Sequence, residues 1–304
     1  MLSSLREVCK LGIVHFMLHK DTIKGDGDHA SLLKLLESPD FDAVETTWIN
    51  DPEVRRSVVE KRRSTGKSLA FGAQPILLTQ KHDLNSLDEE RRRAAVRAVR
   101  DVVPQAYELE ASGFGVLSGK TVDPSDHDRA MSQLVKSLVE IADTLAESGT
   151  MPLVIETFDQ LDYGKNCLIG PNLDAARVAK EVRREHPNFG VMIDLSHLPL
   201  QKETAQQAWD AVGEYVVHAH MGNCVMEKPE HPMNGDEHPP LCDPDGENCV
   251  EELAEYLRVL KSAGFLNRET RPFLSFEVVP YNGKRADEVV RMSLQTLSQA
   301  WERV

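Results

Sequence analysis

A chain of 304 residues, 41% of them hydrophobic, can bury a full core and has the size at which an α/β barrel forms one domain. Its 35 basic and 49 acidic residues leave a net charge of −14, which opposes a nucleic-acid backbone and favours a small neutral ligand. Five cysteines without framework spacing read as free thiols, the N-terminal stretch lacks a signal-type apolar run, and no apolar run is long enough to span a bilayer, so a cytoplasmic protein is expected.

Short apolar runs alternate with helical patterns along the chain. Residues 11–17 (LGIVHFM) read as a first strand, and 28–38 as a helix opened by a capping aspartate. A second strand is expected at 42–48, a basic surface helix at 51–66 and a third strand at 68–74. Residues 88–113 read as one long helix whose charge run (EERRR) is a solvated face. The fourth strand is 114–118, followed by an amphipathic helix over 126–149 that stops at a glycine. The fifth strand is 152–158, and a helix covers 172–186. The sixth strand is 190–195 with a helix at 205–214, and the seventh is 215–221. A loop over 222–247, rich in Pro, Asp and His, is the one long irregular connection; such loops in compact domains are functional or disordered. A helix at 251–264, an eighth strand at 272–279 and a last helix from 286 complete the chain.

The strands are apolar without alternation, as parallel strands buried on both faces should be. Eight such units close into a (β/α)8 TIM barrel, read here as a single α/β domain over 1–304. An open doubly wound sheet is the alternative, but no glycine-rich phosphate loop follows the first strand.

In a barrel of this kind reactive groups gather at the carboxyl ends of the strands. The last four strands end in Glu156 (VIETF), Asp194 (MIDLSH), His220 (HAHMGN) and Glu277 (SFEVVP). Three carboxylates and one imidazole suit a hard to borderline divalent ion; Mn2+ leads, with Mg2+, Co2+ or Zn2+ as alternatives. Each residue alone could be a cap or an ion-pair partner, but all four on consecutive strands point to one site. His197 follows Asp194 by three residues and extends the clamp.

These motifs resemble the xylose isomerase-like superfamily, the TIM barrels of sugar isomerases and epimerases that include the D-tagatose 3-epimerase type. The likeness covers most of the chain in layout and is specific between Glu156 and Glu277. It implies that Glu156, Asp194, His220 and Glu277 bind the metal and that His197 contacts substrate. It also implies that Glu156 and Glu277 are the catalytic pair that moves a proton off and onto the substrate carbon. The chemistry agrees: proton removal beside a carbonyl makes an enediolate, whose charge a divalent ion stabilises while a carboxylate on each face handles the proton.

One departure is the loop after the seventh strand, residues 224–240, which lacks the arginine that epimerases of this type present. It carries Asp236-Glu237-His238 instead, a pattern resembling a metal pair of the apurinic endonuclease branch. Asp236 and His238 either order the loop and touch substrate or, with His197, hold a second metal; the first reading is preferred. That branch also uses early-strand histidines, for which only His15 and His19 qualify. His218 shares a face with His220 and contacts substrate or packs in the barrel core. His15, Glu45, Trp48 and Gln74 are candidates to line a polyol pocket, with Trp48 either stacking on a sugar face or sitting in the core. Cys224, Cys242 and Cys249 lack paired zinc spacing and read as free thiols.

The expected function is a metal-dependent isomerase or epimerase of a sugar or keto-sugar, with no nucleic-acid or membrane partner and with homo-oligomers allowed by the resemblance. The alternative is a lyase or dehydratase on a keto-sugar or inosose-type substrate. A multi-zinc nuclease, or a barrel that only binds, ranks lower.

Overall fold

The structure, a computed structural model, describes residues 2–304. Eight parallel strands form one sheet: β1 (Lys10–Ile13), β2 (Ala43–Thr46), β3 (Ser68–Gly72), β4 (Phe114–Leu117), β5 (Leu153–Glu156), β6 (Gly190–Asp194), β7 (Val216–Gly222) and β8 (Phe273–Glu277). Neighbours run β1-β8-β7-β6-β5-β4-β3-β2, so β1 closes on β8 with Leu11 opposite Leu274. The β1–β2 seam is thinner. There the Asp42 N–H donates to the Leu11 carbonyl at 2.7 Å, and Val14 bridges Glu45. The result is the expected TIM barrel, nearly closed.

Strands β2, β4, β5 and β6 are buried at every position, which explains their unalternating apolar runs. The barrel interior is tight: a Cβ on Gly12 would come within 2.3 Å of Ser275 Oγ across the β1–β8 pair. Helix ends follow local chemistry. Asp51 caps Pro52–Thr65 by accepting the Glu53 N–H at 2.8 Å, and Gly66 ends it at φ +69°.

Three expectations change. The first strand stops at Ile13, and His15–Leu18 turns into helix, because the chain must leave the barrel rim there. The single helix over 88–113 is two, Glu89–Arg100 and Val103–Glu108, the second opening on Pro104, whose missing N–H suits a first turn. Its charge run is not all solvated either. Arg92 is fully buried and donates to Glu89, Glu140 and Ser137 Oγ.

The thiol expectation is also corrected. Cys242 and Cys249 form a disulfide, with Cα atoms 4.3 Å apart, while Cys9, Cys167 and Cys224 stay free and buried. The pairing arises because the loop after β7 returns on itself, which spacing alone does not show. Buried asparagines hold that return. Asn223 Oδ1 accepts the Cys224 and Asn248 N–H groups, and Asn248 Nδ2 donates to the Leu195 and Gly222 carbonyls. No helix among the described residues is long and apolar enough to cross a membrane.

Candidate metal centre

Strands β5 to β8 deliver Glu156, Asp194, His220 and Glu277 to the carboxyl end of the barrel, all buried. One ligand atom from each falls within 4.8 Å of the others. His220 Nδ1 lies 2.6 Å from Glu277 Oε2 and 3.5 Å from Glu156 Oε1. Asp194 is fixed from below: Oδ1 accepts the Ser196 N–H at 2.9 Å and the Gly222 N–H at 3.1 Å, and Oδ2 accepts Ser196 Oγ–H at 2.6 Å.

Glu156 is held by Gln74, whose Nε2 donates to Oε2 at 2.9 Å. That reach depends on two glycines. A Cβ on Gly72 or Gly115 would come within 2.9 Å of the Gln74 amide. Glu156 Oε1 is buried without a hydrogen-bond partner, as is Gln74 Oε1. A buried carboxylate oxygen left bare is costly, and its position beside three other donors fits a bound cation. The oxygen-rich donor set with one imidazole suits a divalent ion of the Mn2+, Mg2+, Co2+ or Zn2+ class.

The charge state of the cation-free site follows from its neighbours. Burial alone would lower His220, but Glu45 and Glu277 hold it well above the ordinary imidazole value. The same contest lifts His238 to about 9, burial losing to Asp236 and Glu277. His197 is likewise raised, burial being outweighed by Asp236 and Asp194.

A second group of buried side chains adjoins the first. Asp236 Oδ1 accepts from His238 Nε2 at 2.8 Å and from His197 Nε2 at 3.1 Å, while His197 Nδ1 donates to the Thr157 carbonyl at 2.6 Å. His197 therefore sits behind Asp236, with both ring nitrogens engaged by protein. Asp194, His197 and His238 also bring ligand atoms within 4.8 Å of one another.

Above the centre lies a cavity of about 360 Å³. Glu45, Glu156, His218, His220, His238 and Glu277 form its polar side, and Phe16, Met17, Ile23, Leu78 and Phe158 an apolar one. Lys20 and Lys165 stand at its rim, paired with Glu237 at 3.5 and 3.6 Å. Gln74, His218, Asp236 and His238 line the cavity; Trp48, His15 and His197, the expected substrate contact, do not. Trp48 is packed in the core, its indole against Gly25, so it offers no face to a sugar there. His15 bonds Ser31 Oγ at 2.8 Å instead. Lys20, Lys165 and the apolar wall carry no signal in the sequence, because they lie in the short helices and turns that follow β1, β3 and β5, where no periodicity singles them out.

The chain matches the family model described as xylose isomerase-like TIM barrel over residues 33–297. D-psicose 3-epimerase of Ruminiclostridium cellulolyticum is 25% identical over 173 residues, which is 54% of this chain and 55% of that enzyme, so the match spans about half of each. Solved structures share the fold. One is D-psicose 3-epimerase from Clostridium cellulolyticum H10 with D-tagatose (TM-score 0.66, 17% identity, 96% of this chain and 97% of that one). Another is the IolI protein with a binding zinc atom (TM-score 0.71, 15% identity, 97% and 99%).

Proposed function

The chain belongs to the xylose isomerase-like TIM barrel family, and from that premise we propose that it is a divalent-metal-dependent isomerase or epimerase of a sugar or keto-sugar. The observation that carries the proposal is the convergence of Glu156, Asp194, His220 and Glu277 under one cavity. A relative that is a sugar epimerase, and a structural neighbour with zinc in the same fold, support it.

In this reading Asp194 and His220 are ligands only, and Glu156 and Glu277 are ligands and proton carriers. When bound, the ion acts as a Lewis acid for the negative charge that develops on the substrate oxygens. Glu156 and Glu277 stand on strands three apart around the ring, so they address a substrate carbon from different sides. One takes the proton from the carbon beside the carbonyl and keeps it, and the other, starting protonated, delivers its own proton to the opposite face; exchange with solvent then resets the pair. Gln74 keeps Glu156 aimed, and its bare Oε1 can accept a substrate hydroxyl. Asp236 and His238 order the loop that roofs the cavity, and Lys165 ties that loop to the turn after β5 by donating to the Asp236 carbonyl at 2.6 Å. Mn2+ is our choice of ion, and the net charge of −14 makes a nucleic-acid partner the less favoured one.

A second reading is a dehydratase on a keto-sugar or inosose-type substrate, which needs the same ligands and the same carboxylate base as far as the enediolate. Both readings share proton removal and differ in whether a hydroxyl then leaves. Incubating the manganese-loaded protein with ketose, inosose and keto-sugar panels in D2O separates them. Deuterium at the carbon beside the carbonyl with no loss of water supports epimerisation; an unsaturated or dehydrated product supports the lyase. Metal content of chelator-free protein comes first. About one ion per chain fits the proposal, whereas two or three zinc ions would make His197, Asp236 and His238 ligands and turn attention to abasic DNA.

A further inference from the structure

Glu45 comes from β2, three strands around the ring from β7, yet its carboxylate meets both histidines of β7. Glu45 Oε1 lies 2.8 Å from His218 Nε2 and 3.1 Å from His220 Nε2. All three side chains are buried. Nδ1 of His220 points the other way, toward Glu277 and Glu156. An imidazole binds a cation through one nitrogen only if the other carries the proton and the ring is turned correctly. A carboxylate oxygen only accepts, and Glu277 Oε2 at 2.6 Å engages Nδ1 just as Glu45 engages Nε2; where a cation takes the place of the Nδ1 proton, Glu45 keeps the other proton on Nε2 and the ring turned with Nδ1 toward the ion.

His218 has a matching part. Its ring stacks on Phe273 at 5.1 Å and meets the His220 ring edge-on at 5.0 Å. So clamped, it gives Glu45 Oε1 a second donor and keeps that carboxylate from swinging into the cavity that it lines. The spacings of 2.8 and 3.1 Å are those of hydrogen bonds, although the same three residues are near enough to hold an ion of their own.

We propose that Glu45 is a positioning residue that fixes the tautomer and orientation of His220 for cation binding through Nδ1, with His218 as the donor that pins Glu45 in place. This rests on His220 being a ligand, as argued above, and it adds two residues to the site that touch no ion themselves.

The test is equilibrium binding of Co2+ and Mn2+ to the full chain by competition with a chromophoric chelator, with the visible Co2+ spectrum as a second readout. Wild type, Glu45→Ala, Glu45→Gln, His218→Gln and the site control Asp194→Asn are compared. Loss of Glu45 is expected to weaken Co2+ binding about 10- to 100-fold and to alter the Co2+ spectrum. The Glu45→Gln amide oxygen still accepts from Nε2, so this variant should recover most of the affinity and a near-normal spectrum. His218→Gln should lie between wild type and Glu45→Ala. Unchanged affinity and spectrum in Glu45→Ala would overturn the proposal while leaving the metal site standing. So would a second bound ion lost in His218→Gln, since Nε2 would then be a ligand. If Glu45→Ala does not fold, wild-type binding and spectra in both Glu45→Gln and His218→Gln would support a dispensable His218 donor and overturn the arrangement proposed. Wild-type protein with no site that Asp194→Asn abolishes would overturn the metal reading itself, and this inference with it.

Discussion

Buried histidines at the same end of this barrel are shifted in opposite senses, His15 downward and His197, His220 and His238 upward. After β1, His15 has its ring 5.3 Å from that of His19 and 6.1 Å from that of His29. Its hydrogen-bond partner is a hydroxyl, Ser31 Oγ, and it is 1% exposed. Burial first, then repulsion from His19 and His29, lowers His15 to about 3. On the other side His197, His220 and His238 are as deeply buried, yet carboxylates face each of them and raise all three. Burial by itself keeps an imidazole neutral; burial beside carboxylates charges it. The second side is thus a surplus of negative charge that protons neutralise when no cation is bound. That is the electrostatic condition for a metal site, and the first side lacks it.

The largest break of this contrast removes the carboxylates. Glu156→Gln and Glu277→Gln should each lower kcat by about 10²- to 10⁴-fold, the usual contribution of a general acid or base. Steady-state kinetics on a turned-over substrate, with metal content measured alongside, checks this; near-normal turnover in both variants with metal retained would remove the proton-carrier roles.

Next in size is the competition between protons and the ion. His220 must lose its proton before Nδ1 can bind a cation, so divalent-ion affinity should rise about tenfold per pH unit while one proton is displaced. Calorimetry in buffers of different ionisation enthalpy reads the proton directly. An affinity flat with pH would mean that His220 is already neutral.

The two sides should then tilt stability in opposite senses. His15, depressed in the folded state, is protonated more readily once unfolded. Stability should therefore fall as pH drops below about 6.5, at up to about 1.4 kcal/mol per pH unit, and level off near the folded value of about 3. Urea unfolding of His15→Gln should show a flatter acid limb than wild type.

His238 has the reverse sign. In metal-free protein its pairing with Asp236 contributes stability that is fully present below about 6.5 and is lost as pH rises through about 9. The total loss is smaller than for His15 because the shift from 6.5 to about 9 spans fewer pH units than that from 6.5 to about 3. Asp236→Asn should shrink this alkaline loss, leaving the share due to Glu277 and Asp194; an unchanged alkaline limb would place the charge of His238 elsewhere.

Local pattern in the sequence determined much of this molecule. The eight strands and their order, and the strand-end residues Glu156, Asp194, His220 and Glu277, are visible because a buried parallel strand is a short apolar run and its end a break in that run. What only the tertiary structure decided are contacts between distant strands and within the long loop. Glu45 lies 173 and 175 residues from the histidines that it faces. The Cys242–Cys249 disulfide, the burial of Arg92, the retreat of Trp48 into the core and the neutrality of His15 belong to the same class. Each depends on which groups the closing barrel places opposite one another. Periodicity reports how a residue faces its own strand or helix and carries no record of its partner across the barrel.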